Sequence, residues 1–263
     1  MATAKKRSPG QPVDQLVVLG ASAGGIEAVS VVLSDLPSDF PAPIVVAQHL
    51  HPDHHSNLPE ILSRQTDLRV VSVEEEVKLE AATVYLVPPN RHVEITDHAV
   101  RLQEFGGDRP KPSIDHLLAT AAETFGERLV AVILSGTGSD GAAGAEDVAA
   151  AGGTVIAQDP DTATFPSMPR SLSRAIVDAV RPLEQIGALL VALVTGERTL
   201  KADDDERLSR FLETLRDRSG VDFTSYKQPT VLRRIQRRMI ATGSDGLAEY
   251  RRHLLRNPDE IHR

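Results

Sequence analysis

Between Gln15 and Asp159, short aliphatic and β-branched runs alternate with stretches whose apolar residues recur at helical spacing. "QLVVLG", "APIVVAQH", "LRVVSV", "RLVAVILSG" and "TVIAQD" read as strands, and "GIEAVSVVL", "SNLPEILSRQ", "IDHLLATAAETF" and "DGAAGAEDVAAAGG" as the helices between them. Strands that are apolar on both faces need cover on both, and a strand–helix alternation supplies it by right-handed crossovers. The pattern predicts a doubly wound, mostly parallel α/β sheet. "ATVYLVPPNRHVEITDHAVRLQ" alternates and turns back on itself, which predicts an antiparallel hairpin beside that sheet.

In such a fold the ligand crevice lies at the carboxyl ends of the strands, so chemistry is sought just after each run. Ser22 follows the first strand inside Gly20-Ala21-Ser22-Ala23-Gly24, a G-x-S-x-G corner between strand and helix. His49 follows "IVVAQ", and Asp140 follows "VAVIL" inside Ser135-Gly136-Thr137-Gly138-Ser139-Asp140-Gly141. A serine hydroxyl is a weak nucleophile at neutral pH. It needs an imidazole to take its proton and a carboxylate to orient that imidazole, and these three residues supply such a set. Backbone amides near Ala23 and in the Gly136–Gly138 loop are candidate oxyanion donors.

Each residue also has a plainer reading. Small polar residues ahead of helices are commonly caps, which suits Ser22 and Asp140, and a lone histidine such as His49 is commonly a core-edge residue. Two other chemistries compete as well. "HLHPDH", His49 to His54, matches an H-x-H-x-D-H zinc-ligand run, in which His49, His51 and Asp53 would be joined by His54 or His55. Gly136, Gly138 and Gly141 form a literal G-x-G-x-x-G with Asp159 after the next strand, the spacing of an NAD site, although Asp140 would there lie against the pyrophosphate. The strand–helix alternation argues against the first, and the lateness of the turn in the sheet against the second. The expectation is that neither metal nor cofactor is used.

Composition narrows the field further. With 263 residues, 41% apolar but only 3% aromatic, the chain supports one sizeable aliphatic core plus a smaller unit. It has no cysteine, which excludes disulfides and thiolate chemistry. No run reaches the roughly 18–20 apolar residues of a membrane span, and "MATAKKRSPG" leads into no apolar segment, so no membrane insertion and a cytoplasmic location are expected. The charge is uneven. Residues 1–206 hold 16 Lys and Arg against 30 Asp and Glu, whereas residues 207–263 hold 13 against 7. That asymmetry predicts two units, 14–195 and 207–263, joined by a polar linker over 196–206.

"GASAGG", "QHLHPDH", "VYLVPPNRHV", "KPSIDHLL", "SGTGSDGAAG", "AGGTVIAQDP" and "MPRS" occur in the order found in the catalytic domain of chemotaxis receptor methylesterases, the CheB family. Residues 14–195 resemble that domain. The resemblance implies hydrolysis of glutamate γ-methyl esters on methylated chemoreceptors, often with glutamine deamidation. It places nucleophile, base and orienting carboxylate on Ser22, His49 and Asp140, and oxyanion or substrate contacts at Ala23, Thr137 and Met168. Family members often have Met where this chain has Thr137, Thr where it has Ala23, and Gly where it has Ser167. Members that stand alone also carry a receiver domain ahead of the esterase. Only about a dozen residues precede the first strand here, so receiver phosphorylation is not expected to be the switch in this chain.

The C-terminal stretch reads as amphipathic helices, with Arg233, Arg234, Arg237 and Arg238 forming a basic stripe. Without interleaved aromatics, nucleic acid is a poor partner for it, and an acidic receptor helix is the better one. This segment resembles the helical N-terminal domain of the CheR receptor methyltransferases, as found in methylesterase–methyltransferase fusions. No strand and glycine-loop pattern follows Met239, so S-adenosylmethionine binding is not expected of this chain. An esterase site left idle in a sensory adaptor is the non-enzyme alternative.

Overall fold

The computed structural model describes residues 13–49, 57–103, 112–196, 205–221 and 228–262. The chain divides into two compact units, residues 1–187 and 188–263, and the division falls within one helix, Leu183–Thr195.

In the first unit the strands β1 (Leu16–Ala21), β2 (Ile44–Gln48), β3 (Arg69–Ser72), β5 (Thr83–Leu86), β8 (Leu129–Ile133), β9 (Thr154–Gln158) and β10 (Ala179–Arg181) form one parallel sheet in the order β10-β9-β8-β1-β2-β5-β3. β1 lies at the centre with every residue buried, as do β2 and β8 beside it, which is why these segments read as unbroken aliphatic runs. The chain winds outward from β1 first through β2 and later through β8. A crevice therefore opens where the two directions part.

Helix α1 (Gly25–Ser34) turns Ala28, Val29, Val32 and Leu33 inward. On the opposite face, α3 (Ile114–Phe125) buries Ile114, Leu117, Leu118, Ala121, Ala122 and Phe125. Its first turn is capped by the Ser113 hydroxyl, which accepts the His116 N–H at 3.2 Å, a contribution of about 1 kcal/mol. Next to it runs α4 (Ala142–Ala150), brought unusually close by Gly144. A Cβ there would meet the Asp115 carbonyl oxygen and the Leu118 Cβ, each at 2.7 Å.

The hairpin expectation needs one correction. β6 (His92–Thr96) and β7 (Ala99–Gln103) do pair antiparallel, joined by the short β4 (Val77–Lys78), but "TVYL" is not part of that hairpin. As β5 it sits between β2 and β3 in the parallel sheet. All four of its residues are buried, so it behaves as an interior strand with cover on both faces.

In the second unit, α7 (Asp205–Ser219), α8 (Gln228–Thr242) and α9 (Leu247–Arg256) enclose a small core of Leu208, Phe211, Ile235, Met239, Leu247, Tyr250 and Leu254. Of the expected linker, residues 197–204 lie outside the described residues, and α7 already begins at Asp205. Among the described residues, no helix is long and apolar enough to cross a membrane.

Candidate active site

Ser22, His49 and Asp140 follow β1, β2 and β8, the three adjacent strands at the sheet centre. The parallel ladder continues past the strand ends and sets the spacing of Ser22 and His49. Ser22 N–H donates to the Ser135 carbonyl at 3.0 Å, and His49 N–H to the Ala21 carbonyl at 3.0 Å. After Ser22 the chain must turn sharply into α1, and Gly24 takes the left-handed conformation that permits it, at φ 71°.

His49 is held on one nitrogen. Its Nε2 lies 2.8 Å from Asp140 Oδ2 and 2.9 Å from the Pro112 carbonyl oxygen. A carbonyl oxygen can only accept, so Nε2 carries the hydrogen and Nδ1 is left as the basic nitrogen. Both side chains are largely covered, 16% exposed for His49 and 10% for Asp140. The Asp140 carboxylate also accepts the Ile114 N–H at 2.9 Å and the Asp115 N–H at 3.0 Å, at the N-terminus of α3. Burial pushes this carboxyl upward, but the His49 hydrogen bond and the two amide donors outweigh it and hold Asp140 below the ordinary aspartate value. The arrangement keeps a buried carboxylate ionised next to an imidazole.

Ser22 and His49 line the same cavity, of about 780 Å³, walled by the outward face of α1 and by Ile61 and Gln65. Among the described residues, the Ser22 hydroxyl has no hydrogen-bond partner, which leaves it open to the cavity. The Ala23 and Thr137 N–H groups likewise donate to no described residue, and of the two only Ala23 lines the cavity.

Several expectations change on contact with the structure. Met168 is fully buried and its N–H donates to the Gly136 carbonyl at 3.0 Å. Its side chain packs beneath Gly136 and supports the loop from below, so it does not face the cavity. Nor is Gly136 an oxyanion donor, because its N–H is taken by the Phe165 carbonyl at 2.9 Å. The dinucleotide reading of Gly136, Gly138 and Gly141 fails for a related reason. The Gly141 and Gly144 amides that would bind a pyrophosphate both donate to Asp115 Oδ1, each at 2.8 Å. Residues 50–56, which include the remaining zinc-ligand candidates His51, Asp53, His54 and His55, lie outside the described residues. Among the described residues, no three acidic or histidine side chains cluster in a way that would hold a metal ion.

The basic stripe is also redrawn. Arg238 is only 8% exposed and pairs bidentately with Glu260, at 2.8 and 2.7 Å, while the Tyr250 hydroxyl donates to the same carboxylate at 3.0 Å. Arg233 and Arg237 are half-buried, and Arg234 alone of the four is exposed. Burial, followed by the Glu260 charge, pushes the Tyr250 phenol above its ordinary value.

Sequence reading missed three contributors to the site. Gln48 is buried, and its amide donates to the Ser22 carbonyl at 2.7 Å and the His49 carbonyl at 2.9 Å, tying the turns that carry Ser22 and His49 together. The Ser135 hydroxyl donates to the Ala23 carbonyl at 2.9 Å and accepts the Phe165 N–H at 3.0 Å. Pro112 acts through its backbone oxygen. Gln48 and Ser135 each adjoin a residue already singled out, which is the one signal that pointed to them.

Sheet and site together define an α/β protein whose central crevice groups a free hydroxyl, an imidazole and an ionised carboxylate, the equipment of an acyl-transfer catalyst. Comparison with known proteins agrees with that class. The family model for CheB methylesterase matches residues 17–190, and the one for the CheR methyltransferase all-alpha domain matches residues 206–263. The protein-glutamate methylesterase FrzG of Myxococcus xanthus is 38% identical over 195 residues, 73% of this chain and 58% of its own length. A protein-glutamate methylesterase/protein-glutamine glutaminase of Thermotoga maritima is 34% identical over 186 residues, 68% of this chain and 54% of its own. The chain thus spans a little over half the length of these two relatives. The crystal structure of the Thermotoga maritima CheB methylesterase catalytic domain superposes with a TM-score of 0.64 at 34% identity, covering 68% of this chain and 98% of that one. The chain belongs to the CheB methylesterase family.

Proposed function

We propose that this chain is a serine-type protein-glutamate methylesterase acting on glutamate γ-methyl esters of chemoreceptors, with glutamine deamidation as a second outcome of the same chemistry. The observation that carries the reading is the single-nitrogen tether of His49 between Asp140 Oδ2 and the Pro112 carbonyl, which points Nδ1 away as the base in a cavity shared with the unbonded Ser22 hydroxyl. Ser22 Oγ attacks the ester carbonyl carbon while His49 Nδ1 takes the hydroxyl proton. The ester oxygen that becomes negative is met by the Ala23 and Thr137 amides. His49 then returns the proton to the departing methoxide, releasing methanol and leaving an acyl-enzyme. Water is activated by the same imidazole, hydrolyses the acyl bond and frees glutamate. Asp140 keeps the imidazole oriented and balances its positive charge in both halves.

Residues 207–263 serve in this reading as a docking module for the acidic receptor helix. Arg234 supplies its exposed charge, whereas Arg238 is committed to Glu260. The test is methanol release from a methylated receptor fragment by the purified chain. Turnover by wild type that is lost in Ser22→Ala supports the reading. A folded Ser22→Ala variant that retains more than a tenth of the wild-type rate would overturn it.

A further inference from the structure

The carboxyl groups of Asp140 and Asp115 exchange places at the starts of two neighbouring helices. Asp140, two residues ahead of α4, accepts the Ile114 and Asp115 amides of α3. Asp115, in the first turn of α3, accepts the Gly141 and Gly144 amides of α4. Each helix is therefore capped by a side chain that belongs to the other, and Gly144 admits the close approach that makes this possible. The Gly141 amide is covalently next to Asp140, so the Asp115 carboxylate fixes the backbone from which the Asp140 side chain is suspended.

We propose that Asp115 is a positioning residue for the reaction, acting through Asp140 and by that route on His49. The proposal rests on the Ser22-His49-Asp140 reading above. Asp115 is not among the residues that line the Ser22–His49 cavity, and its carboxyl oxygen Oδ1 is taken by the Gly141 and Gly144 amides. Its effect is geometric. Asp140 Oδ2 must sit 2.8 Å from His49 Nε2 while also accepting the Ile114 amide, and the Asp115 tether to Gly141 stops α4 from drifting and breaking that double contact. The electrostatics of the two acids are complementary. Burial, and then the neighbouring Asp140 charge against the pull of the Gly144 and Gly141 amides, leaves Asp115 above its ordinary value, whereas Asp140 is held below its own. Of the two adjacent carboxyls, the one that touches the imidazole is the one that stays ionised most readily.

Misplacing a catalytic partner by about 1 Å costs up to roughly 100-fold. In the full chain, Asp115→Ala should lower kcat for methanol release from a methyl-esterified glutamate peptide by about 10- to 100-fold. KM should stay within about threefold. Both contacts from α4 use the same Asp115 oxygen, and asparagine keeps an oxygen there, so Asp115→Asn should recover kcat to within about fivefold of wild type. In an Asp140→Asn background, Asp115→Ala should add less than about a threefold further loss, because the residue it positions has already been changed. If Asp115→Ala does not fold, Asp115→Ser is measured by the same criteria. The proposal is overturned by a folded variant that keeps kcat within twofold, by a loss confined to KM, or by a loss that multiplies undiminished with that of Asp140→Asn. Full activity in Asp140→Asn itself would instead remove the underlying site reading, and this proposal with it.

Discussion

Each unit of this protein buries a carboxylate against a nitrogen base, and the two pairs are put to different ends. In the helical unit, Glu260 is held bidentately by Arg238 and also accepts the Tyr250 hydroxyl, with the Arg238 and Glu260 side chains only 10% and 6% exposed. In the α/β unit, Asp140 is held by two helix amides and by His49, which lines a cavity of about 780 Å³ together with Ser22, whose hydroxyl bonds to no described residue. Burial and ion pairing alone do not distinguish a working acid from a structural one. The distinction lies in the third group, which is buried in one case and lines a cavity in the other. A sealed ion pair recovers little of its desolvation cost, so its worth is felt mainly when one partner is removed.

The largest expected effect breaks the open site. Ser22→Ala and His49→Ala should each cut turnover by about 10³-fold or more, and the double variant should be no worse than either alone. Asp140→Asn should be milder, because the Pro112 carbonyl still accepts from Nε2 and keeps the ring in its working tautomer. Steady-state rates of methanol release check all three.

Next in size is the sealed pair. Glu260→Ala leaves the Arg238 guanidinium buried without its acid and should destabilise the helical unit by about 3–5 kcal/mol. Thermal melting would show this as early loss of part of the helical signal. Hydrolysis of a small ester should continue, since the change lies in the other unit. Concurrent loss of that activity would show that the two units are not energetically separate.

Acid distinguishes the units on a smaller scale. The folded value of Asp140 is depressed, so its stabilising contribution is present above the unfolded value near 4 and fades as pH falls through the folded one. Tyr250 runs the other way. Its folded value is raised, so its contribution is intact below the unfolded value near 10 and is lost as pH climbs past it. Alkali loosens both units, because burial also raises Tyr85, whose hydroxyl donates to the Lys78 carbonyl at 3.0 Å. Melting curves at pH 3 and pH 11, with Asp140→Asn and Tyr250→Phe as controls, separate these contributions. The smallest effect is expected at Arg234. A charge reversal to glutamate there should weaken receptor binding only a few-fold, and only at low salt, as befits one exposed charge.

The strand–helix order was legible because interior strands must be apolar on both faces, and the placement of Ser22, His49 and Asp140 at the sheet centre was legible because each follows such a strand. The hairpin was overextended for the same physical reason. "TVYL" alternates in polarity only on paper, since the hydroxyls of Thr83 and Tyr85 are bonded inside the fold and let both residues be buried. The roles of Pro112 and of the Ile114 and Asp115 amides were not legible, because backbone atoms carry no residue signature. Asp115 read simply as an acid in a first helical turn. Arg238 could have been placed correctly from spacing. It lies seven residues after Val231 and three after Ile235, on the side of α8 that carries the core, whereas Arg234 lies off that side.

The double employment of Asp140 changes how descendants of this scaffold should be judged. A copy of the gene that abandoned ester hydrolysis and survived as a scaffold for signalling would still need an acceptor for the two α3 amides, so selection for folding alone would preserve the aspartate. Among the described residues the Ser22 hydroxyl has no such second duty, so under the proposed mechanism it would drift freely to alanine or glycine once the chemistry was no longer selected. The informative position for telling a living enzyme from a retired one is therefore 22, and an intact Asp140 is weak testimony by comparison.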